Sequence, residues 1–288
     1  MSTFIANLDS VTLPPTAQHK IVLWIGANAG GVGKTTLAVH IGYEMACRGF
    51  DTAILDLDSN GSMSLFCGLP RSSKPQNTMA AVFAENFNGA WPLITPSWGE
   101  PNGKLQICPG GGVMSKVVDD LSSRRRREYI LSDRLRKYPL AHNLIILDCP
   151  ATLGSLNDAA LAAATHLLIP VQLTYKSIKG SDGLLEWYRA ACRDLALEPA
   201  PKILGFVPNQ FDSAEAAQRR ILAQLPDKLA KIKINCYKQI RYSSEFNNAS
   251  GKGLPLFLYR GSHDACSDFS VICDDLTNLI KGEDKRGI

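Results

Sequence analysis

The stretch Gly30-Gly31-Val32-Gly33-Lys34-Thr35-Thr36 constrains this chain more than any other. Its glycines let backbone N–H groups close around an anion that larger side chains would hold off. Lys34 offers a charge to β- and γ-phosphates. Thr35 offers a hydroxyl to Mg²⁺ and opens a helix whose N-terminus favours an anion. A Gly-Lys-Thr triplet alone is a weak signal; the flanks make this one specific. Ile21-Val22-Leu23-Trp24-Ile25 is a short apolar run that reads as a buried parallel strand. Beyond the loop, Leu37, Ala38, Ile41 and Met45 recur at helical spacing over residues 35–48, and Gly49 is a stop. Residues 52–58 read as a second strand that enters a turn at Ser59-Asn60-Gly61. Strand, helix and strand in succession form a βαβ unit, which requires a parallel sheet.

The same alternation continues along the chain. Residues 105–108, 143–148, 167–171 and 203–207 are apolar runs of strand length. Residues 113–138 read as a polar helical region, and Phe269, Ile272, Leu276 and Ile280 set a helix over 267–281. The stretch 70–104 is rich in Pro, Ser, Asn, Gly and Trp and reads as loops around short helices. The expected fold is α/β: a twisted, mainly parallel sheet flanked by helices on both faces, with ligands at the carboxyl ends of the strands. Residues 1–19 read as an N-terminal extension and residues 20–288 as a single domain. Apolar residues make up 45% of the chain and charged residues 20%, which excludes global disorder. No run of 18 apolar residues is present, so no membrane-spanning helix is expected. The net charge of +4 permits an anionic partner without requiring one. None of the eight cysteines forms a CxxC pair, and reduced thiols are expected.

Acids complete the phosphate-binding pattern. Asp148 ends an apolar strand, the expected place for a carboxylate that holds Mg²⁺ through water. Asp56 and Asp58 alternate at the end of the second strand and are expected to share a face. Beside a phosphate loop they are expected to orient the metal shell and the attacking water. The metal-binding set is therefore Thr35, Asp56 and Asp148, and the catalytic set is Lys34, Asp58 and Asp148.

GGVGKTT, then LDLDSNGSMS at 55–64, then LDCPATLG at 147–154, resemble in order and spacing the ParA/MinD family of deviant Walker ATPases. Ile169-Pro170-Val171, Gly180 and Gly253-Leu254-Pro255 extend the likeness, which covers about residues 20–281. The resemblance implies a P-loop fold, ATP and Mg²⁺, a nucleotide-sandwich homodimer and slow hydrolysis to ADP and phosphate. It also implies placement of a cargo on a surface such as the nucleoid or a membrane. Carried over, Gly30 to Thr36 bind the nucleotide, Asp58 positions the hydrolytic water, and Asp148 belongs to the second switch. Asn209 lies where the family often reads adenine.

This chain departs from the family at Ala29, where the pattern KGGxGK[ST] has a lysine that reaches the partner's phosphates. Three readings follow: another cation meets those phosphates, the dimer is weaker or differently built, or the chain is a degenerate member. Retention of Lys34, Thr35, Asp58 and Asp148 argues against the last. Loss of the lysine resembles carboxysome-positioning ATPases of the McdA type. Buried phosphates need paired charge. Lys176, or failing that Lys179, follows a predicted strand and is the candidate replacement; the alternative is that both are ordinary solvated lysines.

For the surface, Lys231, Lys233, Lys238 and Arg241 precede the Gly-Leu-Pro segment, where ParA relatives carry basic residues for nonspecific DNA. They are the DNA-binding candidates, against the alternative of a solvated basic face. The run Arg124 to Arg127 is a secondary candidate, because successive helical residues point around the axis. The C-terminal stretch lacks a long apolar face set against lysines, so membrane anchoring is not expected. The expected function is an ATP-dependent dimerising switch on nucleoid DNA that positions a carboxysome or similar cargo with a small adaptor protein. A plasmid or chromosome partition ATPase is the alternative within the class. An ATP-dependent metabolic enzyme of the dethiobiotin synthetase type is the alternative outside it. An iron–sulfur electron-transfer ATPase would need well-placed cysteines, which Cys149 and Cys108 do not supply.

Overall fold

The computed structural model describes residues 20–283. The expected N-terminal extension and the last five residues lie outside them. Six strands form one sheet: β1 (Ile21–Ile25), β2 (Thr52–Asp56), β3 (Leu105–Cys108), β4 (Leu144–Asp148), β5 (His166–Gln172) and β6 (Lys202–Asn209). Their order across the sheet is β3-β2-β4-β1-β5-β6, and every neighbouring pair is parallel. Every residue of β1, β2 and β4 is buried, as expected of central parallel strands covered on both faces.

Alternation along the strands divides the core in two. Val22, Trp24, Ala53 and Leu55 face one apolar cluster; Ile21, Leu23, Ile25 and Ile54 face the other. The second cluster is closed by α1 (Lys34–Cys47), by Met63 of α2 (Ser62–Phe66) and by the last helix. The first is closed by α3 (Ala80–Phe83), α4 (Val113–Ser122), α5 (Ile130–Lys137), α6 (Ser155–Ala163), α7 (Tyr175–Asp194) and α8 (Ala216–Lys231). Short helices α9 (Glu245–Gly251) and α10 (Leu256–Tyr259) lead to α11 (Ser270–Lys281). The expected apolar positions Ile272, Leu276 and Ile280 are buried, and Gly282 ends α11 at φ 72°.

The structure adjusts the sequence reading in three places. Strand β2 ends at Asp56, so Asp58 lies in the turn beyond it and the expected strand alternation of the two acids does not apply. The polar helical region is broken between α4 and α5 by a turn in which Arg126 adopts φ 53°. In the stretch 70–104, two indoles pin the loops: Trp91 donates to the Tyr138 carbonyl at 2.9 Å and Trp98 to the Gly253 carbonyl at 2.7 Å. No helix among the described residues is long and apolar enough to cross a membrane.

Candidate active site

Strand order puts β1, β4 and β2 side by side, and their carboxyl ends carry the chemistry. Ile25 pairs with Asp148, and Asp148 pairs with Asp56. The loop between β1 and α1 closes over this edge. Gly33 caps α1 at φ 88°, a left-handed backbone that favours glycine. A Cβ there would also lie 2.2 Å from the Asn209 amide nitrogen, so the position has neither the conformation nor the space for another residue.

Lys34 is only 7% exposed, and its ammonium donates to the Ala29 carbonyl at 3.1 Å. A buried ammonium resting on a backbone carbonyl at the loop entrance is placed to exchange that contact for phosphate oxygens. The Thr35 hydroxyl donates to Asp148 Oδ2 at 2.7 Å. Asp148 Oδ1 is buried with no hydrogen-bond partner among the described residues. Burial pushes the Asp148 carboxyl above the usual carboxylate range, against the Thr35 hydrogen bond and the Lys34 charge. An unpaired, buried carboxylate oxygen beside a threonine hydroxyl suits a hydrated Mg²⁺, so the residues fit the metal. The metal would neutralise charge on the β- and γ-phosphoryl oxygens.

The two remaining acids have different roles. Asp56 accepts from the Asp58 N–H and the Gly110 N–H, each at 3.0 Å. Burial and the neighbouring Asp148 charge push its carboxyl up. Its oxygens fasten the turn after β2 to the loop after β3. The fastening is tight, since a Cβ on Gly110 would lie 2.5 Å from the Asp56 carbonyl. Asp58 is buried and accepts from the Asn60 N–H at 3.0 Å, within the turn that Asp56 anchors.

Other sequence candidates scatter. Lys176 and Lys179 lie in the first turns of α7, both exposed. That helix packs on the loop: Ala29, Ser177 and Gly180 line one narrow gap, and a Cβ on Gly180 would lie 3.9 Å from the Asn28 carbonyl. Asn209 is buried and donates to the Val32 carbonyl at 2.7 Å. A cavity of about 250 Å³ opens beside it, lined by Thr36, Asn209, Gln210, Arg241, Tyr242 and Phe246. Arg241 therefore borders the phosphate-loop region. Its guanidinium donates to Asp268 from Nε at 2.8 Å and from an Nη at 2.9 Å, and reaches Asp264 at 3.1 Å. Two carboxylates therefore pair with its charge, which sets it apart from the other DNA-binding candidates. Lys231, Lys233 and Lys238 are exposed, and among the described residues none pairs with a carboxylate.

The arginine run is divided, with Arg125 and Arg126 exposed. Arg124 donates to the Phe83 carbonyl, and Arg127 to Glu128 at 3.0 Å and the Ser122 carbonyl at 3.1 Å. Of the cysteines, Cys149 and Cys108 are buried, and burial pushes both thiols up. No group of three or more His, Cys, Asp or Glu gathers among the described residues to hold a metal. The sequence reading gave no role to Gln172 and Gln210, although both touch the phosphate loop. Nothing local marks them, because their contacts cross the chain from β5 and β6.

Comparison with known proteins agrees with this geometry. Residues 20–196 match the family described as AAA domain. The chromosome partitioning protein ParA of Myxococcus xanthus is 26% identical over 259 residues, covering 88% of this chain and 87% of that protein. Among solved structures, apo McdA of Cyanothece superposes with a TM-score of 0.77 at 20% identity, covering 90% of this chain and 100% of that one. Cobyrinic acid a,c-diamide synthase of Mycobacterium smegmatis, with bound ADP and magnesium, gives a TM-score of 0.74 at 22% identity, covering 92% of this chain and 97% of that one. With its phosphate loop, its lysine and its threonine–aspartate pair set on an all-parallel sheet, the chain belongs to this AAA-domain family as a P-loop ATPase of the ParA/MinD type that uses ATP and Mg²⁺.

Proposed function

We propose that this ATPase is a nucleotide-controlled switch that dimerises with ATP, binds DNA without sequence preference and positions a cargo through an adaptor protein. The observation that carries the reading is the division between two sets of cations. Lys34 is buried in the nucleotide site, whereas Lys231, Lys233 and Lys238 are exposed and, among the described residues, pair with no carboxylate. Phosphate contacts need charge and no base-reading groups, so binding of that kind is sequence-independent and falls steeply with salt. The cargo is a carboxysome or similar body, with a plasmid or chromosome as the alternative within the same mechanism.

In the switch, Gly30 to Thr36 cradle the phosphates, and Thr35 with Asp148 holds the metal's water shell. Asp58 orients the attacking water from the turn behind Asp56. Two subunits close over two nucleotides, which brings the lysines of both onto one surface. Lys176, or failing that Lys179, supplies to the partner's phosphates the charge that Ala29 does not; the support is that their helix packs on the loop at Ala29. The adaptor stimulates hydrolysis and releases the dimer.

Binding to nonspecific duplex DNA is measured without nucleotide, with ADP, and with ATP plus Mg²⁺. The reading requires binding with ATP alone, a steep salt dependence, and a DNA-trapped state in Asp58→Ala. Absence of binding in every state would refute it and favour a metabolic ATPase. If Lys176→Ala and Lys179→Ala each leave ATP-dependent dimerisation intact, neither supplies the trans charge.

A further inference from the structure

A phosphate loop works by turning N–H groups toward the anion, so the carbonyls of the same peptides must find partners elsewhere. Here those partners are side-chain amides from two neighbouring strand ends. Gln210 Nε2 donates to the Gly31 carbonyl at 2.8 Å. Gln172 Nε2 reaches the same carbonyl at 3.3 Å and donates to Gln210 Oε1 at 2.6 Å. Asn209 Nδ2 holds the Val32 carbonyl at 2.7 Å, and its Oδ1 accepts from the Gln210 N–H at 3.0 Å. Gln172 and Asn209 are direct partners in the β5–β6 ladder. Gln210 reaches the loop from φ 57°, a left-handed conformation that costs free energy for a residue other than glycine. The sheet therefore holds the loop through a closed set of neutral amides.

We propose that Gln172 and Gln210 are positioning residues that pre-set the phosphate loop before nucleotide arrives. They fix the Gly31 carbonyl, and with Asn209 on the Val32 carbonyl they orient the N–H groups of Val32 and Gly33, which share those peptide planes. Neither carries charge, so neither attracts phosphate directly. Their effect passes wholly through the geometry of the loop. An amide suits this role because its NH₂ is a donor that matches a carbonyl, whereas a carboxylate of the same shape would repel it.

Two variants separate this role from folding. Gln210→Glu keeps the shape and removes the donor. Gln210→Gly keeps the left-handed backbone and removes the side chain. Each is followed nucleotide-free by amide hydrogen exchange over residues 28–36 and by thermal unfolding. Affinity for Mg-ADP and steady-state ATP hydrolysis complete the set. The expected result is exchange about tenfold faster in that segment alone and Mg-ADP affinity about tenfold weaker, equivalent to about 1.4 kcal/mol. KM for ATP should rise with kcat within about twofold, and the unfolding midpoint should hold. Gln172→Ala is measured alone and added to Gln210→Gly; because both amides act on one carbonyl, the double variant should weaken binding by less than about twofold beyond Gln210→Gly. Unchanged loop exchange and affinity in Gln210→Glu would overturn the proposal. So would effects of the two positions that simply multiply, or faster exchange spread over β5 and β6 with a lowered midpoint.

Discussion

Two groups of basic residues, similar in sequence, end in opposite situations. Lys231, Lys233 and Lys238 stand exposed at the end of α8 and in the segment that follows. Arg124 and Arg241 reach into the molecule, one to the end of helix α3 and the other to Asp268, whose side chain is 1% exposed. The difference teaches how a basic stretch should be read. A lysine's flexible stem and strongly hydrated ammonium keep it in solvent, whereas a planar guanidinium can satisfy carbonyls and carboxylates in fixed geometry. The same contrast separates the inward Lys34 from the outward lysines, with the phosphate loop as the cause.

The sharpest test of this contrast is another inward-facing titratable group. His40 lies on α1, stacked on Phe269 and edge-on to Phe246. Its Nδ1 meets the Thr36 carbonyl at 2.7 Å, and its Nε2 accepts from the Leu256 N–H at 3.0 Å, so the ring is neutral. Burial lowers its pKa from 6.5 to about 4. The sign follows from linkage. Between pH 4 and 6.5 the unfolded chain binds a proton that the folded chain refuses. The contribution is complete above pH 6.5 and is lost as pH falls toward 4, by about 3 kcal/mol in all. Denaturant unfolding across this range should show that His40→Leu flattens the profile relative to the parent chain; an unchanged slope would place the proton elsewhere.

Arg241→Ala ranks next. Breaking a fully buried pair costs roughly 3–5 kcal/mol, and the half-exposed guanidinium reduces the expectation to about 2 kcal/mol. Its DNA binding, compared at equal fraction folded, should match the parent's; a reduced salt dependence there would return Arg241 to the exposed group. Arg124→Ala should cost about 1 kcal/mol through the freed Phe83 carbonyl, measured as a shift of the urea midpoint. Replacing Lys231, Lys233 and Lys238 together by alanine should change stability least, by under about 0.5 kcal/mol. That variant should nonetheless lower the salt slope of DNA binding by about one for each phosphate no longer neutralised. A large loss of stability there would erase the contrast.

Much of the frame was legible because its signals are local. Every strand from β1 to β6 was marked by an apolar run, and α1 and α11 by helical spacing. Lys34, Thr35 and Asp148 could be placed together because a strand, a glycine loop and a helix leave little choice about where the loop closes. The remainder was hidden by its range. Asp56 also fastens two loops, because its second oxygen accepts from Gly110, a residue supplied by the loop after another strand. Arg241 looked like an open cation because Asp264 and Asp268 are brought to it only by the packing of the C-terminal segment. Gln172 and Gln210 carried no pattern, since their contacts with Gly31 span 141 and 179 residues of chain.

By itself, then, the sequence determined a parallel α/β sheet, a phosphate loop at its carboxyl edge and the lysine, threonine and aspartate that serve it. Those features follow from backbone geometry and burial periodicity, which act over a few residues at a time. Tertiary structure alone decided which charges remain free and which are spent, and which amides hold the loop in shape. Hydrogen bonds and ion pairs have ranges of a few ångströms, and only the folded chain brings their partners that close.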